Sequence, residues 1–318
     1  MERTVYTIGE ALIDFFPEQK DTPLKNVTSF TKQPGGAPAN VAVTVAKLGG
    51  QAKFIGKLGK DAFGDFLTET LQLYNVDTEH IFRTTKANTA LAFVSLEENG
   101  ERDFSFYRKP SADMLLHADE VADIPFKSSD ILHFCSIDLI EADVKYAHKK
   151  VIENMKKIGG TISFDPNVRL NLWENADDLK NTIIGFLPYT DILKVSDDEI
   201  LFISGKNNEA DAIDWFLEFP ISLLIITRGS RGSSLYVNKE EIFIPGIKKH
   251  AVDTTGAGDS YIGAFLYMYA NQPFFIQECS NSTLKSMAAF SNIVSALVVT
   301  RTGGMSSIPN LKEIEQYF

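Results

Sequence analysis

The sequence is short of cysteine, of histidine and of positive charge. Its 318 residues hold two cysteines, Cys135 and Cys279, which form neither a disulfide framework nor a zinc-site pattern. The five histidines show no metal-ligand spacing and read as surface or capping residues. A net charge of -11 argues against nucleic acid as the main partner, because a negative surface repels phosphate backbones. A local basic pocket for a small phosphate compound stays open. No apolar run approaches the ~20 residues of a membrane span. The opening residues, Met1 to Gly9, lack the basic start and apolar stretch of a secretory leader. The expectation is a reduced, cytoplasmic protein without a membrane partner.

What is present is a chain that is 44% hydrophobic and long enough for a sizeable core. It shows no repeat, no low-complexity segment and no linker that would cut it in two. Short apolar runs predict buried strands at Val5 to Ile8, Ile131 to Phe134, Thr161 to Phe164, Ile192 to Val195 and Leu223 to Thr227. Longer patterns predict helices at Ala39 to Leu48, Phe63 to Tyr74, Ala142 to Met155 and Ala257 to Tyr269. The alternation predicts a single α/β domain over 1–318, with a mostly parallel sheet flanked by helices. Two stretches break the rhythm. Leu12 to Phe16 with Val27 to Thr31, and Thr89 to Leu96 with Arg102 to Tyr107, look like β segments. The second pair reads as a hairpin with its turn at Glu97 to Gly100, where Asn-Gly favours left-handed angles. Together they read as a small β lid, inserted at about 12–34 and 88–108.

The most informative stretch is Asp253-Thr-Thr-Gly-Ala-Gly-Asp259, which runs into an apolar helical pattern. Gly256, Ala257 and Gly258 let the backbone approach a ligand closely. A helix starting there leaves its first N–H groups without intrahelical partners, and such a start binds anions. Asp259 beside that pocket can take the proton of a hydroxyl as it attacks a phosphorus atom. The plainer alternative is a glycine-rich turn in which Asp253 or Asp259 caps a helix. The stretch is not a P-loop, because no Gly-Lys-Ser/Thr follows, and it is not a dinucleotide fingerprint, because it follows no strand near the chain start.

A second motif, Gly35-Gly36-Ala-Pro-Ala-Asn40, leads into another helical run. Its glycines again permit close approach, and Asn40 offers a donor and an acceptor to hydroxyls. Asp14 follows the first strand and can accept bonds from two vicinal hydroxyls. The alternatives are a buried amide closing a turn for Asn40 and a solvated loop carboxylate for Asp14.

The two motifs together resemble the ribokinase-like (pfkB) carbohydrate kinases, over essentially the whole chain. The stretches 100–116, Phe164 to Trp173 and Lys194 to Glu199 look like the fructokinase branch of that family. The resemblance implies a ribokinase-like fold with a β lid over the sugar, ATP with Mg²⁺ as co-substrate, and phosphorylation of a small free sugar. It implies Asp259 as base and the Gly256, Ala257 and Gly258 amides as anion hole. Asp14, Gly35, Gly36 and Asn40 would hold sugar hydroxyls. Arg108 and Arg169 would line the substrate site, with Phe106 within reach of it. Lys194, Ser196, Thr227, Gly229, Gly232 and Asn292 match nucleotide positions, with Gly258 shared. The family's Asn-x-x-Glu motif is altered here, with Ser196 at the Asn position. That leaves Glu199 alone to organise Mg²⁺ through water. Asp253, Thr255, Val298, Arg301, Gly303 and Ser307 match a loop that holds a monovalent cation such as K⁺; a structural loop without an ion is the alternative. Lids of this type often pair in the family, which implies a homodimer.

Fructose is the leading substrate. A kinase for 2-keto-3-deoxygluconate is a close rival, because Arg108 and Arg169 could grip its carboxylate. A non-catalytic nucleotide-binding regulator is the rival of another class, although it would have no need of Asp259. An NAD-dependent dehydrogenase lacks its fingerprint after the first strand. Trp173 and Trp215 read as packing residues, and so do Phe104, Phe106 and Tyr107 in the lid. Lys248, Lys249 and His250 read as a solvated turn.

Overall fold

A computed structural model describes residues 3–19, 22–96 and 102–317. The turn expected at Glu97 to Gly100 and the Phe104 side chain lie outside the described residues. The first third of the chain contains β1 (Thr4–Ile8), β2 (Leu12–Pro17), β3 (Phe30–Gly35), α1 (Ala37–Lys47), β4 (Gln51–Gly59), α2 (Ala62–Leu73), β5 (Ile81–Thr84), β6 (Leu91–Leu96) and β7 (Arg102–Tyr107). Next come β8 (Ile131–Cys135), α3 (Asp143–Ile158), β9 (Thr161–Asp165), α4 (Ala176–Phe186), β10 (Ile192–Ser196), α5 (Asp197–Ser204) and α6 (Glu209–Phe216). The last are β11 (Leu223–Thr227), β12 (Gly232–Val237), β13 (Glu240–Pro245), α7 (Ala257–Ala270), α8 (Asn281–Val298) and α9 (Leu311–Glu315).

Nine strands form one twisted sheet in the order β13-β12-β11-β10-β9-β8-β1-β4-β5. From β5 to β11 every pairing is parallel, and β12 and β13 close one edge as an antiparallel hairpin. Parallel strands are covered on both faces, which is why their sequences read as unbroken apolar runs. Alternate residues serve the two sides. Val5, Ile131, Ile192, Leu223 and Ile225 pack with α1, α7 and α8, whereas Ile8, Leu132, Phe134, Leu193 and Leu224 pack with α3 to α6. A separate four-stranded sheet, β3-β2-β6-β7, stands at the carboxyl-terminal edge of β1.

Two expectations need correction. The second β segment lies at Phe30–Gly35 and not at Val27 to Thr31. Pro34 and the glycine after it argue for a loop, but β3 is an edge strand that pairs with β2 alone, where a missing N–H is tolerated. His133 and His148 are fully buried and neither surface nor capping residues. His133 lies in β8, whose two faces are both covered; its Nδ1 is 3.0 Å from Ser163 Oγ, and burial pulls its pKa down to about 3. His148 Nδ1 lies 2.8 Å from the Val144 carbonyl one helical turn back, and burial lowers its pKa to about 4. His117 does cap a short helical turn. Among the described residues no helix is long and apolar enough to cross a membrane.

Helices α1 and α7 approach closely because position 263 is glycine. A Cβ there would come 2.6 Å from Thr44 Cβ and 3.1 Å from the Val41 carbonyl. Gly263→Val is therefore expected to force the two helices apart and to lower stability by roughly 1–3 kcal/mol, as overpacking does. Thermal melting measures the loss; a variant that melts with the parent protein would show that this contact sets nothing.

Candidate active site

The two glycine motifs, far apart in sequence, meet at one hydrogen bond. Asn40 Nδ2, in the first turn of α1, donates to Asp259 Oδ2, in the first turn of α7, at 2.8 Å and across 219 positions. Asn40 is buried, and its Oδ1 has no partner among the described residues. Glycine is needed on both approaches. Gly36, the residue before α1, has φ 106°, and a Cβ on it would lie 2.4 Å from the Glu10 carbonyl. Gly256 precedes α7 in the left-handed region, with φ 75° and no side-chain cap on the helix. The start of α7 is thus left to backbone N–H groups and the positive end of the helix dipole. The Ala257 N–H itself closes the turn on the Thr254 carbonyl at 3.2 Å, which leaves the next amides for a ligand.

Asp259 is half-buried by surface but set deep among protein atoms. Burial raises its pKa, while the Asn40 bond and the positive charges of Lys194 and Arg169 oppose the rise. Lys194, in β10, supplies a fixed positive charge at the same place. A Cβ on Gly258 would lie 2.9 Å from its Nζ, so the ammonium sits against the first turn of α7. Asp165, at the end of β9, accepts from that Nζ at 2.8 Å, and both side chains are buried. Burial lifts Asp165 to about 6, against the lowering pull of Lys194.

Asp14 is buried on β2, with no room for a side chain at Gly35, whose Cβ would overlap its carboxylate at 2.1 Å. Burial first, then Asp259 and Asp253, push Asp14 up to about 7, while Arg169 pulls it down. Arg169 is exposed and its Nη1 donates to the Val168 carbonyl at 3.0 Å. Phe106 pairs with Ala92, which pairs with Asp14, so it shares the Asp14 face of the small sheet. It packs there on Leu12, Ala90 and Ala92. Arg108 sits apart: it is buried and donates to Asp113 and Asp138. The partners of Arg108 could not be read from the sequence.

On the nucleotide side, Thr227 ends β11 and donates to the Val195 carbonyl at 3.4 Å. Gly229 begins the turn to β12, and Gly232 has φ 108° where a Cβ would strike the Ile244 carbonyl at 2.1 Å. Asn292 is more tied than its sequence position implies. Its Nδ2 donates to the Ile244 and Pro245 carbonyls at 3.4 and 3.2 Å, and it holds the end of β13 against α8.

Ser196 and Glu199 form a capping box at the start of α5. Ser196 Oγ accepts the Glu199 N–H, and Glu199 Oε2 accepts the Ser196 N–H at 2.8 Å. Glu199 Oε1 also accepts the Val168 N–H at 2.7 Å. With each oxygen bonded to the backbone, Glu199 fits a role toward a metal's water shell better than direct ligation. Among the described residues no group of three or more metal-ligating side chains is gathered. In the candidate cation loop, Asp253 accepts the Thr255 and Gly303 N–H groups at 2.8 and 3.0 Å and so ties its two halves together. The Val298 carbonyl accepts the Arg301 N–H at 3.1 Å, Arg301 pairs with Glu313, and Ser307 Oγ donates to the Gly304 carbonyl at 2.7 Å.

One concavity has a volume of about 1260 Å³. It is lined by Phe106, Arg108, Trp173 and residues of α3 and α4, but not by Asp259. A helix start, the Asp259 carboxylate and the Lys194 ammonium converge elsewhere, at the carboxyl ends of the parallel strands. Ligands bind there in open α/β sheets.

A helix start without a side-chain cap and with a carboxylate beside it is an arrangement that suits phosphoryl transfer to a hydroxyl group. A pfkB family carbohydrate kinase model matches residues 2–311, and the chain belongs to that family. It is 41% identical over 306 residues to probable fructokinase-5 of Arabidopsis thaliana, covering 96% of this chain and 94% of that protein. It is 40% identical over 310 residues to fructokinase-2 of Solanum lycopersicum, covering 97% and 94%. A solved double mutant of the Vibrio cholerae O395 fructokinase, in fructose, ADP and potassium ion bound form, superposes with a TM-score of 0.91. Its sequence identity is 31%, over 99% of this chain and 98% of that one. The chain is a ribokinase-like carbohydrate kinase.

The raised pKa of Asp14 has a consequence for stability. A carboxylate raised to about 7 in the folded state favours folding below its unfolded pKa, and that contribution is lost as pH rises toward and through 7. Asp14→Asn is therefore expected to melt with the parent protein near pH 4 and above it at pH 8. The gain is at most a few kcal/mol, at ~1.4 kcal/mol for each tenfold difference in proton affinity between the folded and unfolded chain. Melting curves across that range check the sign, and an Asn variant less stable at pH 8 would refute the buried-carboxylate assignment.

Proposed function

We propose that this chain transfers the γ-phosphoryl group of ATP to D-fructose, giving fructose 6-phosphate and ADP. The observation that carries the mechanism is Asp259, held by Asn40 at the uncapped start of α7. The sugar hydroxyl gives its proton to Asp259 as its oxygen bonds to the γ-phosphorus and the bond from that phosphorus to the ADP oxygen breaks. A carboxylate whose pKa burial has raised holds that proton better than one in water. The first-turn amides after Ala257, with Lys194, oppose the charge on the transferring group. Asp14, Gly35, Gly36 and Asn40 take the sugar hydroxyls, and Arg169 stands near both carboxylates. Phe106 covers the sugar from the small sheet. Thr227, Gly229, Gly232 and Asn292 shape the nucleotide side, Thr227 and Asn292 by holding backbone.

Glu199 would orient the waters of a Mg²⁺ ion bound with the ATP phosphates, which would neutralise part of their charge. The loop of Asp253, Thr255, Val298, Arg301, Gly303 and Ser307 would hold a monovalent cation; the potassium-bound relative supports this reading. The four-stranded sheet works as a lid that keeps water from the γ-phosphate.

Asp259→Asn keeps the shape and loses the base. It is expected to lower kcat with fructose and MgATP by ~10²–10⁴ while sugar binding stays within a few-fold. Coupled ADP release measures it, and a loss below about tenfold rules out Asp259 as the base. The lid face opposite Asp14 carries a ring cluster of Phe15, Phe30, Phe93 and the exposed Tyr107. A homodimer through that face is expected by sedimentation equilibrium, with dissociation on Tyr107→Glu; a monomeric parent protein would reject it.

A further inference from the structure

A second polar cluster lies where the lid joins the body. Glu10 stands in the link from β1 to β2, and Arg108 is the first residue after β7. They occupy one chain entry to the lid and one exit from it. Asp113, in the turn 113–115, and Asp138, in the turn 137–139 after β8, belong to the body. In the order Glu10, Arg108, Asp113 and Asp138, the four are exposed by 1%, 5%, 2% and 1%. Arg108 Nη2 donates to both Asp113 Oδ2 and Asp138 Oδ1. Glu10 Oε1 accepts the Ala37 N–H at 2.8 Å, at the start of the helix that carries Asn40.

This is a poor arrangement for a sugar ligand. A buried guanidinium shared by two carboxylates cannot turn to a hydroxyl without stranding their charges. It is a good arrangement for a joint with more than one setting. Arg108 Nε, Glu10 Oε2, Asp113 Oδ1, Asp138 Oδ2 and Ser111 Oγ are all buried without a hydrogen-bond partner among the described residues. A saturated cluster would have one arrangement. Here spare acceptors surround the guanidinium, so it can exchange partners as the two chain links shift. Three carboxylates against one guanidinium also favour retained protons: burial, then Asp138, raises Glu10 well above its usual range, and burial lifts Asp138 to about 7.

We propose that Arg108 is a positioning residue, clamped by Asp113 and Asp138 at the lid joint, which sets how the lid seats over the site and does not itself touch the sugar. The proposal rests on the lid reading above. If it holds, removing either end of the clamp lowers the fraction of closed lid, and apparent sugar affinity falls in proportion.

The test compares Arg108→Lys, Asp113→Asn and Asp138→Asn, with melting curves to confirm folding. All three are expected to raise the KM for fructose about tenfold, as a tenfold loss of the closed state requires. Their kcat should stay within about threefold, because the reacting groups are intact. Arg108→Lys combined with Asp113→Asn should be no worse than either alone, as partners in one clamp are non-additive. Hydrogen exchange of β2, β6 and β7 amides gives a readout apart from turnover: fructose should protect them in the parent protein and less in the variants. If Arg108→Lys alone raises KM while both Asn variants stay within about twofold, Arg108 contacts the sugar and the proposal is overturned. Fructose protection that is equal in parent and variants also overturns it. No protection even in the parent protein defeats the lid reading, and the clamp with it. Should a single variant fail to fold, Arg108→Met with Asp113→Asn and Asp138→Asn removes all three charges together, a change buried ion clusters often tolerate. It is expected to show the same rise in KM, and an unchanged KM counts against the clamp.

Discussion

The hydrogen bond from Asn40 to Asp259 is the contact on which the rest of the site depends. It joins the first turns of two helices that the chain makes far apart, and it can form only because Gly263 lets those helices touch. Once it forms, the turn before α7 lies against Gly304, whose added Cβ would come 3.0 Å from Asn40 Oδ1. Asp253 then ties the same turn to Gly303. A helix start without a side-chain cap is a weak point in most folds. Here it is braced from both sides by backbone, so its amides stay aimed outward without being covered.

The site is acidic before any ligand arrives. Burial raises Asp14 and Asp165, and neighbouring carboxylates add to it: Asp259 and Asp253 on Asp14 against Arg169, Glu199 and Asp259 on Asp165 against Lys194. A triphosphate adds more negative charge to that setting. In the reaction proposed above, the counter-charge would come in forms that do not neutralise the base: oriented peptide dipoles at α7, an ammonium anchored on Asp165, and cations bound with the nucleotide. Lys194 shows the division of labour. Asp165 holds it from below while its other side faces the helix start, so it stays charged although buried.

Much of this is legible in the sequence, and the failures have physical causes. The parallel strands β1 and β8 to β11 announce themselves as short apolar runs because both their faces are covered. The two glycine motifs are legible because glycine before an apolar helix has few other uses. Strands β4, β5, β12 and β13 are not: β4 mixes Lys53, Lys57 and two glycines into its apolar pattern, and β13 is an exposed edge with Glu240, Glu241 and Phe243 facing outward. Pro34 disguises an edge strand as a loop. The pairing of Arg108 is not legible, because its partners, Asp113 and Asp138, are brought to it only by the fold. Glu199 fits a metal organiser, yet the same spacing from Ser196 also makes a capping box, and the structure shows both of its oxygens on backbone N–H groups.

The parallel sheet has one further consequence. Asp165, Ser196 and Thr227 stand at the last positions of successive strands, and Asp14 and Asp138 follow two more, while the interiors of those strands are wholly apolar or buried. Each of these strands is thus divided into a buried part that packs the core and a polar last residue that fixes charge or backbone at the carboxyl edge of the sheet. Lys194 is the exception, because its ammonium reaches that edge from the middle of β10. A scaffold arranged in this way lets the polar edge change while the packing beneath it stays the same.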